Sequence, residues 1–458
     1  MTTFSAVVTT GIYCRPGCGA RPRADNVRTF GLAASAEAAG FRACLRCRPY
    51  RVAGSVPWDA PELVCRAVQM IIAGALDEGT EMDLSGRLGL SGRHLRRLFH
   101  HHLGLTPDQF ARSRRAHFAR RLLDDTDLAV VDVAFASGFG SLRQFNRTMR
   151  EIFRESPSEL RKRRRRADRL VADGGLTFRM AFTPPYDWDA VRGFLAARAV
   201  PGVEAVEGPV YRRTITLDGG PGLLEVHPGG PDHLLLRAHL PYWEGVIHVV
   251  DRVRRMLGLD LDRTPAAHLA GDLIIAPLVR ASPGLRVPGA WGPFEVGVYL
   301  AVRQHCDRAG TRAQLGSLVR AYGTEIPGLP HGLSHAFPGA GLLAAADLDA
   351  VGLPPAAARA VRDFAHAVAT GRIRLDGSVG LKALLDSLTA VPGLGPVAAQ
   401  HLAMRLGERD AFPHGDPAVR SALRTLDSHS ADQDPAMAAE AWRPWRALAA
   451  TYLLTAPR

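Results

Sequence analysis

Four cysteines near the start of the chain restrict its folding more than any other feature. Cys14 and Cys18 form a C-x3-C pair, and Cys44 and Cys47 form a C-x2-C pair after 25 intervening residues. Residues 1–56 around them are rich in glycine, proline and arginine, and too poor in apolar side chains to bury a core unaided. Two tight turns carrying soft sulfur ligands can close on one tetrahedral ion, and its binding free energy then becomes folding free energy. The spacing therefore predicts one zinc ion held by four thiolates. By spacing alone this is a structural centre.

The next stretch, 60–162, reads as successive helices: Glu62 to Leu76, a capped segment from Asp83, Ser91 to His101, and Thr106 to Leu123. Its pattern recurs about fifty residues later. Leu90-Ser91 returns as Phe139-Gly140, the Leu95/Arg97 pair as Phe145/Arg147, and Thr106-Pro107 as Ser156-Pro157. The run Arg161-Lys162-Arg163-Arg164-Arg165-Arg166 follows, and its mutual repulsion predicts a basic linker over 163–175. Residues 176–262 alternate apolar and polar positions around Gly/Pro turns, as in Arg213-Thr214-Ile215-Thr216-Leu217, which predicts a small α+β domain with two flanking helices. Residues 263–458 are Ala- and Leu-rich segments broken by Gly and Pro, which predicts an all-α domain. The expected fold class is multidomain and mainly α, with four folded units.

The formal charge of +12 is carried by arginine rather than lysine, and guanidinium forks match phosphate oxygens. A nucleic-acid partner follows, double-stranded DNA first. No stretch reaches the ~20 apolar residues that cross a bilayer, so no membrane role and a cytoplasmic, nucleoid-associated location are expected. In that reducing compartment metal binding explains the cysteines better than disulfides do. Cys65 and Cys306 read as small helix residues.

Thr9-Thr10-Gly11-Ile12-Tyr13-Cys14-Arg15-Pro16-Gly17-Cys18 and Gly40-Phe41-Arg42-Ala43-Cys44-Leu45-Arg46-Cys47 resemble the amino-terminal domain of the Ada adaptive-response family. The resemblance implies that Cys14 takes a methyl group irreversibly from a methyl phosphotriester in DNA, with Cys18, Cys44 and Cys47 as companion ligands and Arg42 and Arg46 facing the DNA. Four thiolates on one Zn²⁺ carry a formal charge of minus two, which repels the DNA backbone. Methylating one removes a unit of that charge, so DNA affinity should rise on repair. Val8 stands where the family carries arginine.

Over 60–162, the run Gly138-Phe139-Gly140-Ser141-Leu142-Arg143-Gln144-Phe145-Asn146-Arg147 and the close Ser156-Pro157-Ser158-Glu159-Leu160 resemble the AraC-type double helix-turn-helix. Phe139 and Phe145 should face the core. Arg143, Gln144, Asn146 and Arg147, and in the first unit Arg93, His94 and Arg97, should face a major groove. A promoter, and RNA polymerase as a protein partner, follow from this resemblance, with the chain acting as a monomer.

Met180-Ala181-Phe182-Thr183-Pro184-Pro185-Tyr186-Asp187-Trp188, Pro283-Gly284-Leu285-Arg286-Val287-Pro288-Gly289 and Trp442-Arg443-Pro444-Trp445-Arg446 resemble the AlkA-type 3-methyladenine DNA glycosylases of the helix-hairpin-helix superfamily. Val391-Pro392-Gly393-Leu394-Gly395-Pro396-Val397-Ala398 is the hairpin, with Gly393 and Gly395 letting the backbone approach a phosphate. Asp416 occupies the place of the catalytic carboxylate, and Asp416-Pro417 also has the form of a helix N-cap. The resemblance puts Trp442, Gln304, His401 and Val397 around the extruded base. Val397 replaces the Schiff-base lysine of bifunctional relatives, so excision should leave an abasic site without strand cleavage. His401 stands where the family has a tyrosine, and Arg303-Gln304-His305-Cys306-Asp307-Arg308 departs from its apolar wedge pattern. Two readings are open at this point: an alkylation-response protein that also excises alkylated bases, or a DNA-binding regulator whose glycosylase half is catalytically degenerate.

Overall fold

A computed structural model of the protein describes residues 3–456, apart from 21, 53–56, 58, 166–167, 171–174 and 427–433. The expected boundary at 56 and part of the expected linker at 163–175 lie outside the described residues. Near the amino end, β1 (Phe4–Val7), β2 (Ile12–Cys14), β3 (Val27–Phe30), α1 (Ala33–Ala38) and β4 (Arg42–Ala43) form a sheet of order β3-β1-β2-β4. The parallel pairing of β2 with β4 aligns Tyr13 with Ala43. Cys14 and Cys44, one residue further along each chain, therefore come together at the sheet end.

Helices α2 (Glu62–Ile72), α3 (Glu81–Arg87), α4 (Gly92–Leu103) and α5 (Pro107–Asp125) form the first helix-turn-helix unit. The first of these stops short of Leu76 because Gly74 turns left-handed at φ +99°. The segment expected from Asp83 starts earlier. Thr80 is its cap, accepting from the Asp83 amide at 3.2 Å while the Asp83 carboxylate accepts from the Thr80 amide at 2.8 Å. The second unit is α6 (Val130–Ala136), α7 (Leu142–Phe153) and α8 (Pro157–Lys162). The fifty-residue repeat is repeated in its caps. Ser91 opens α4 as Ser141 opens α7, each accepting an amide three residues on at 3.2 Å, and Thr106/Gln109 and Ser156/Glu159 form matching capping boxes on α5 and α8.

Helix α5 has paired charges on several faces. Ser113 and His117 meet Glu37 of α1 at 2.5 and 2.6 Å, and Arg51 reaches Asp124 and Asp125 at 3.2 and 2.7 Å. On another face Arg114 pairs with Asp251, Arg115 donates to Asp77 at 2.5 Å, and Phe118 stacks on Phe178. The arginine run that repulsion suggested as a free linker is pinned over its first part. Arg161 donates to the Leu128 carbonyl, Arg163 pairs with Glu155 at 2.8 Å and Arg164 with Asp127 at 2.7 Å.

The sheet domain comprises β5 (Leu176–Ala181), α9 (Trp188–Ala196), β6 (Glu204–Glu207), β7 (Val210–Leu217), β8 (Gly220–Gly230), β9 (His233–His239) and α10 (Val246–Met256). It is antiparallel, of order β5-β9-β8-β7-β6, with two helices as the alternation predicts. Its apolar face joins Tyr13, Phe41 and Phe145 in one cluster, so one core runs through the cysteine module, the second helix-turn-helix unit and the sheet. Beyond it lie α11 (Thr264–Leu269), α12 (Ala276–Ala281), α13 (Pro293–Arg303), α14 (Arg308–Tyr322), α15 (Ala340–Ala345), α16 (Pro355–Ala369), α17 (Leu381–Thr389), α18 (Pro396–Leu406), α19 (Pro417–Leu426), α20 (Pro435–Ala438) and α21 (Arg446–Thr455). These helices share a separate apolar cluster. Among the described residues no helix is long and apolar enough to cross a membrane.

Phe145 is fully buried and packs on Phe139 with ring centroids 5.3 Å apart. Phe145→Ala should lower stability by about 3–5 kcal/mol, measured by denaturant unfolding; an unchanged transition would show that this ring does not hold the second unit together.

Candidate functional site

Two groups of chemistry-bearing residues stand out, and the first is the cysteine cluster. The Sγ atoms of Cys14, Cys18, Cys44 and Cys47 all lie within 4.8 Å of one another. Tetrahedral zinc with bonds of about 2.3 Å sets its sulfurs roughly 3.8 Å apart, so the donors are already gathered to that scale. Cys14 is the most buried of the four, while the others are half-buried. Burial, and next the nearby Cys47, push the Cys14 thiol far up, and burial pushes Cys47 up to about 11. Burial also acts on Cys44, but the amides of Cys47 and Arg46 outweigh it and hold that thiol down. Sulfurs crowded in this way repel one another as anions, and a divalent cation at their centre removes the conflict. The donor set thus fits one zinc ion. Arg46 is exposed beside the cluster and Arg42 is half-buried.

In the helix-turn-helix units Leu95, Phe139 and Phe145 are buried, while Arg93, Arg97, Arg143 and Arg147 are exposed. Four of the expected reading residues also make contacts within the chain. Arg97 lies 3.1 Å from His94, Asn146 donates to the Leu142 carbonyl at 2.9 Å, and Arg147 approaches Glu151 at 3.8 Å.

The second group is built on the hairpin between α17 and α18. Gly393 takes φ +80°, and a Cβ there would stand 2.6 Å from the Ala360 Cβ, so only glycine fits. The Gln304 side chain ties this turn together. Its Oε1 accepts from the Gly395 amide at 3.1 Å and its Nε2 donates to the Gly393 carbonyl. Gln304, expected in the base pocket, is therefore a clamp on the hairpin. His305, next to it, is exposed.

Asp416 precedes Pro417 at the start of α19 and acts as its cap, with Oδ1 accepting from the Ala418 amide at 2.7 Å. Its Oδ2 lies 2.7 Å from His401 Nε2 on α18. Burial raises this carboxyl, but the His401 hydrogen bond and the Ala418 amide outweigh burial and hold it below the usual carboxylate range. Gly415 lets the turn before α19 approach α18, because a Cβ there would stand 2.8 Å from Val397 Cγ2. Val397, His401 and Asp416 are thus brought together. Trp442 is not among them as an open wall. It is fully buried in the helical core, edge-on to Phe412 at 5.8 Å. A tryptophan in an Ala- and Leu-rich segment gives no sequence signal separating core from pocket. The Gln304 clamp and the His401–Asp416 pair are not legible in the sequence either, since each joins residues of separate elements.

A hairpin opposed to a capped carboxylate, in a mainly helical domain that carries one short antiparallel pair (324–325 with 335–336) and follows a five-stranded sheet, is the architecture of a helix-hairpin-helix DNA glycosylase, here joined to a cysteine metal centre and a double helix-turn-helix. Family models agree: the metal binding domain of Ada matches residues 2–50, a helix-turn-helix domain 84–163 and the AlkA N-terminal domain 177–292. A protein of Mycobacterium tuberculosis named "Probable bifunctional transcriptional activator/DNA repair enzyme AlkA" is 36% identical over 456 residues, 98% of this chain and 92% of its own length. Escherichia coli DNA-3-methyladenine glycosylase 2 is 28% identical over 280 residues, 60% of this chain and 96% of that one. The solved 3-methyladenine DNA-glycosylase of Archaeoglobus fulgidus shares the fold at 20% identity with a TM-score of 0.52, covering 60% of this chain and 97% of that one. The chain belongs to the family of bifunctional transcriptional activator/DNA repair enzymes AlkA.

Gln304→Ala should loosen the hairpin by about 1–2 kcal/mol, the net worth of two hydrogen bonds. Amide exchange at 393–395 and affinity for undamaged duplex report it, and unchanged exchange would remove the clamp from the account.

Proposed function

We propose that this protein senses and repairs alkylated DNA at two places, accepting a methyl group from a phosphotriester at Cys14 and excising alkylated purines of the 3-methyladenine type at Asp416. The observation that carries the excision reading is the Asp416 carboxylate, kept ionised and immobile beside the hairpin helix. When an alkylpurine leaves, positive charge develops on the deoxyribose, and a fixed carboxylate stabilises it without having to reorganise. A base alkylated on a ring nitrogen is already cationic and departs neutral, so no strong general acid is required. The peptide N–H groups around Gly393 and Gly395 hold the phosphate backbone, and Val397 and His401 line the approach to the base, with Trp442 behind them. No lysine stands at 397, so the product is an abasic site.

At the other end, bound zinc supplies thiolate character at neutral pH. Cys18, Cys44 and Cys47 hold the centre, and the Cys14 sulfur forms a bond to the methyl carbon as the carbon–oxygen bond to the phosphotriester breaks, returning a phosphodiester. The lost negative charge strengthens binding of the promoter by Arg42 and Arg46 and by Arg93, His94, Arg97, Arg143, Gln144, Asn146 and Arg147. RNA polymerase is the partner this activation calls for, at the nucleoid. One chain suffices, because both reading helices lie in tandem on it. The units 1–56, 60–162, 176–262 and 263–458 divide these tasks, with 163–175 between the second and third.

Asp416→Asn should lower 3-methyladenine release from methylated duplex by on the order of 10²–10³-fold, while duplex binding is kept; release retained in the variant would remove Asp416 from catalysis, and no release by the natural protein would favour a regulator with a non-catalytic glycosylase half. Cys14→Ala should abolish methyl uptake and the rise in promoter affinity that follows it, read by gel shift before and after exposure to methylated DNA. A variant that still gained affinity would contradict the charge mechanism.

A further inference from the structure

Helix α2, helix α10 and the carboxyl end of α18 meet around a cleft that neither activity uses. Its volume is about 440 Å³, inside the roughly 300–1,000 Å³ that small-molecule sites occupy. Much of its lining is apolar: Met70 from α2, Trp291 and Pro293 at the start of α13, Met404 from α18, and Trp445 and Leu448 at α21. Arg405 braces this lining, its Nε donating to the Gly289 carbonyl at 2.9 Å. The wall supplied by α2 belongs to the helix-turn-helix domain, so a glycosylase alone could not complete the cleft.

The carboxylates on its walls are engaged. Asp260 accepts from Arg254 at 2.6 and 3.0 Å, Asp376 pairs with Arg87 at 2.9 Å, and Glu408 lies 3.7 Å from Arg66. Two arginines of the α10 wall are left over. Arg252 and Arg255, three residues apart on one face of that helix, line the cleft and are exposed to it. The carboxylate that acts on Arg255 is Asp260, already held by Arg254. The one that acts on Arg252 is Glu295, whose two oxygens accept from Arg213 at 3.0 and 2.8 Å. Among the described residues no ion pair therefore satisfies either guanidinium. Arg252 lies over the Trp291 ring, 4.8 Å from its centroid, a contact that orients the guanidinium without neutralising it.

We propose that this cleft binds a mononucleotide-like ligand, a phosphate monoester on a flat apolar body. Guanidinium forks match phosphate oxygens, and a terminal phosphate carries about −1.5 to −2 charges near neutral pH, the complement of two unpaired arginines. A phosphodiester within a DNA strand carries a single charge and matches them less well. The apolar lining takes the rest of the molecule, since indoles and guanidinium planes are both surfaces on which a base stacks. The cleft also lies away from the strand held by the hairpin. Its α18 residues begin at Met404, whereas the hairpin precedes Pro396 at the other end of that 11-residue helix, about 16 Å away along its axis.

The test titrates the full zinc-bound chain calorimetrically with AMP, GMP, CMP and UMP. At least one should bind, one per chain, with a Kd below about 1 mM, and its parent nucleoside and inorganic phosphate should each bind about tenfold or more weakly. Replacing both arginines, Arg252→Ala with Arg255→Ala, should weaken the nucleotide by about tenfold or more. Ala73→Trp keeps both arginines but fills the cleft from the exposed end of α2, and should abolish binding. Lys382→Ala removes a positive charge elsewhere on the surface and should leave binding unchanged. Circular dichroism identifies a variant that misfolds, and either the arginine pair or Ala73→Trp then decides alone. The proposal is overturned if none of the four mononucleotides binds, if binding survives in the folded cleft variants, or if inorganic phosphate binds as tightly as the nucleotide. Displacement of the nucleotide by undamaged duplex, together with loss of duplex affinity in the arginine variant, would also overturn it, assigning Arg252 and Arg255 to the DNA backbone.

Discussion

Helix α5 is the member on which the first half of the molecule depends. It is long, and more than half of its residues are buried, yet its sequence is mostly polar. Such a helix would be unstable alone, because charges buried without partners cost several kcal/mol each. Several of its large polar groups are met by one from a different module. Glu37 comes from the cysteine module, Arg51 from the segment after it, Asp77 from the turn before α3, and Asp251 from α10. Tyr13, the neighbour of Cys14, donates to the same Glu37 at 2.6 Å, so the strand that carries Cys14 is tied through Glu37 to α5 of the helix-turn-helix domain.

Those pairings explain which features could be read in advance. The zinc ligands are legible because they sit at fixed short spacings, and the helix-turn-helix repeat because apolar positions and caps recur in register. The sheet and its two helices follow from alternation and turn residues. The continuity of the core does not follow, because α5 lacks a one-sided apolar stripe and its partners lie tens to hundreds of residues away. The arginine run shows the same limit. Six like charges in sequence suggest an open linker, but Glu155 and Asp127, invisible to a local reading, pair with Arg163 and Arg164.

The glycosylase half rests on a different principle, a carboxylate held rigid by backbone. Gly415, Pro417 and the amide of Ala418 fix where Asp416 stands, and α18 brings His401 to it. Asp-Pro as a cap and Gly-x-Gly as a turn are visible in sequence. The clamp from Gln304, ninety residues upstream, is not, and a resemblance assigned that side chain to the base instead of the turn. Trp442 meets the same limit, because large aromatics serve cores and pockets alike, and the structure places this one fully buried in the helical core.

The shared role of α5 also fixes a stoichiometry. A methyl acceptor that can be used once is bolted, through one apolar core, to the sheet on which an excision domain is mounted. Every spent sensor molecule therefore still carries a reusable scissor for damaged bases, and whatever clears spent sensors from the cell discards an equal number of working excision units.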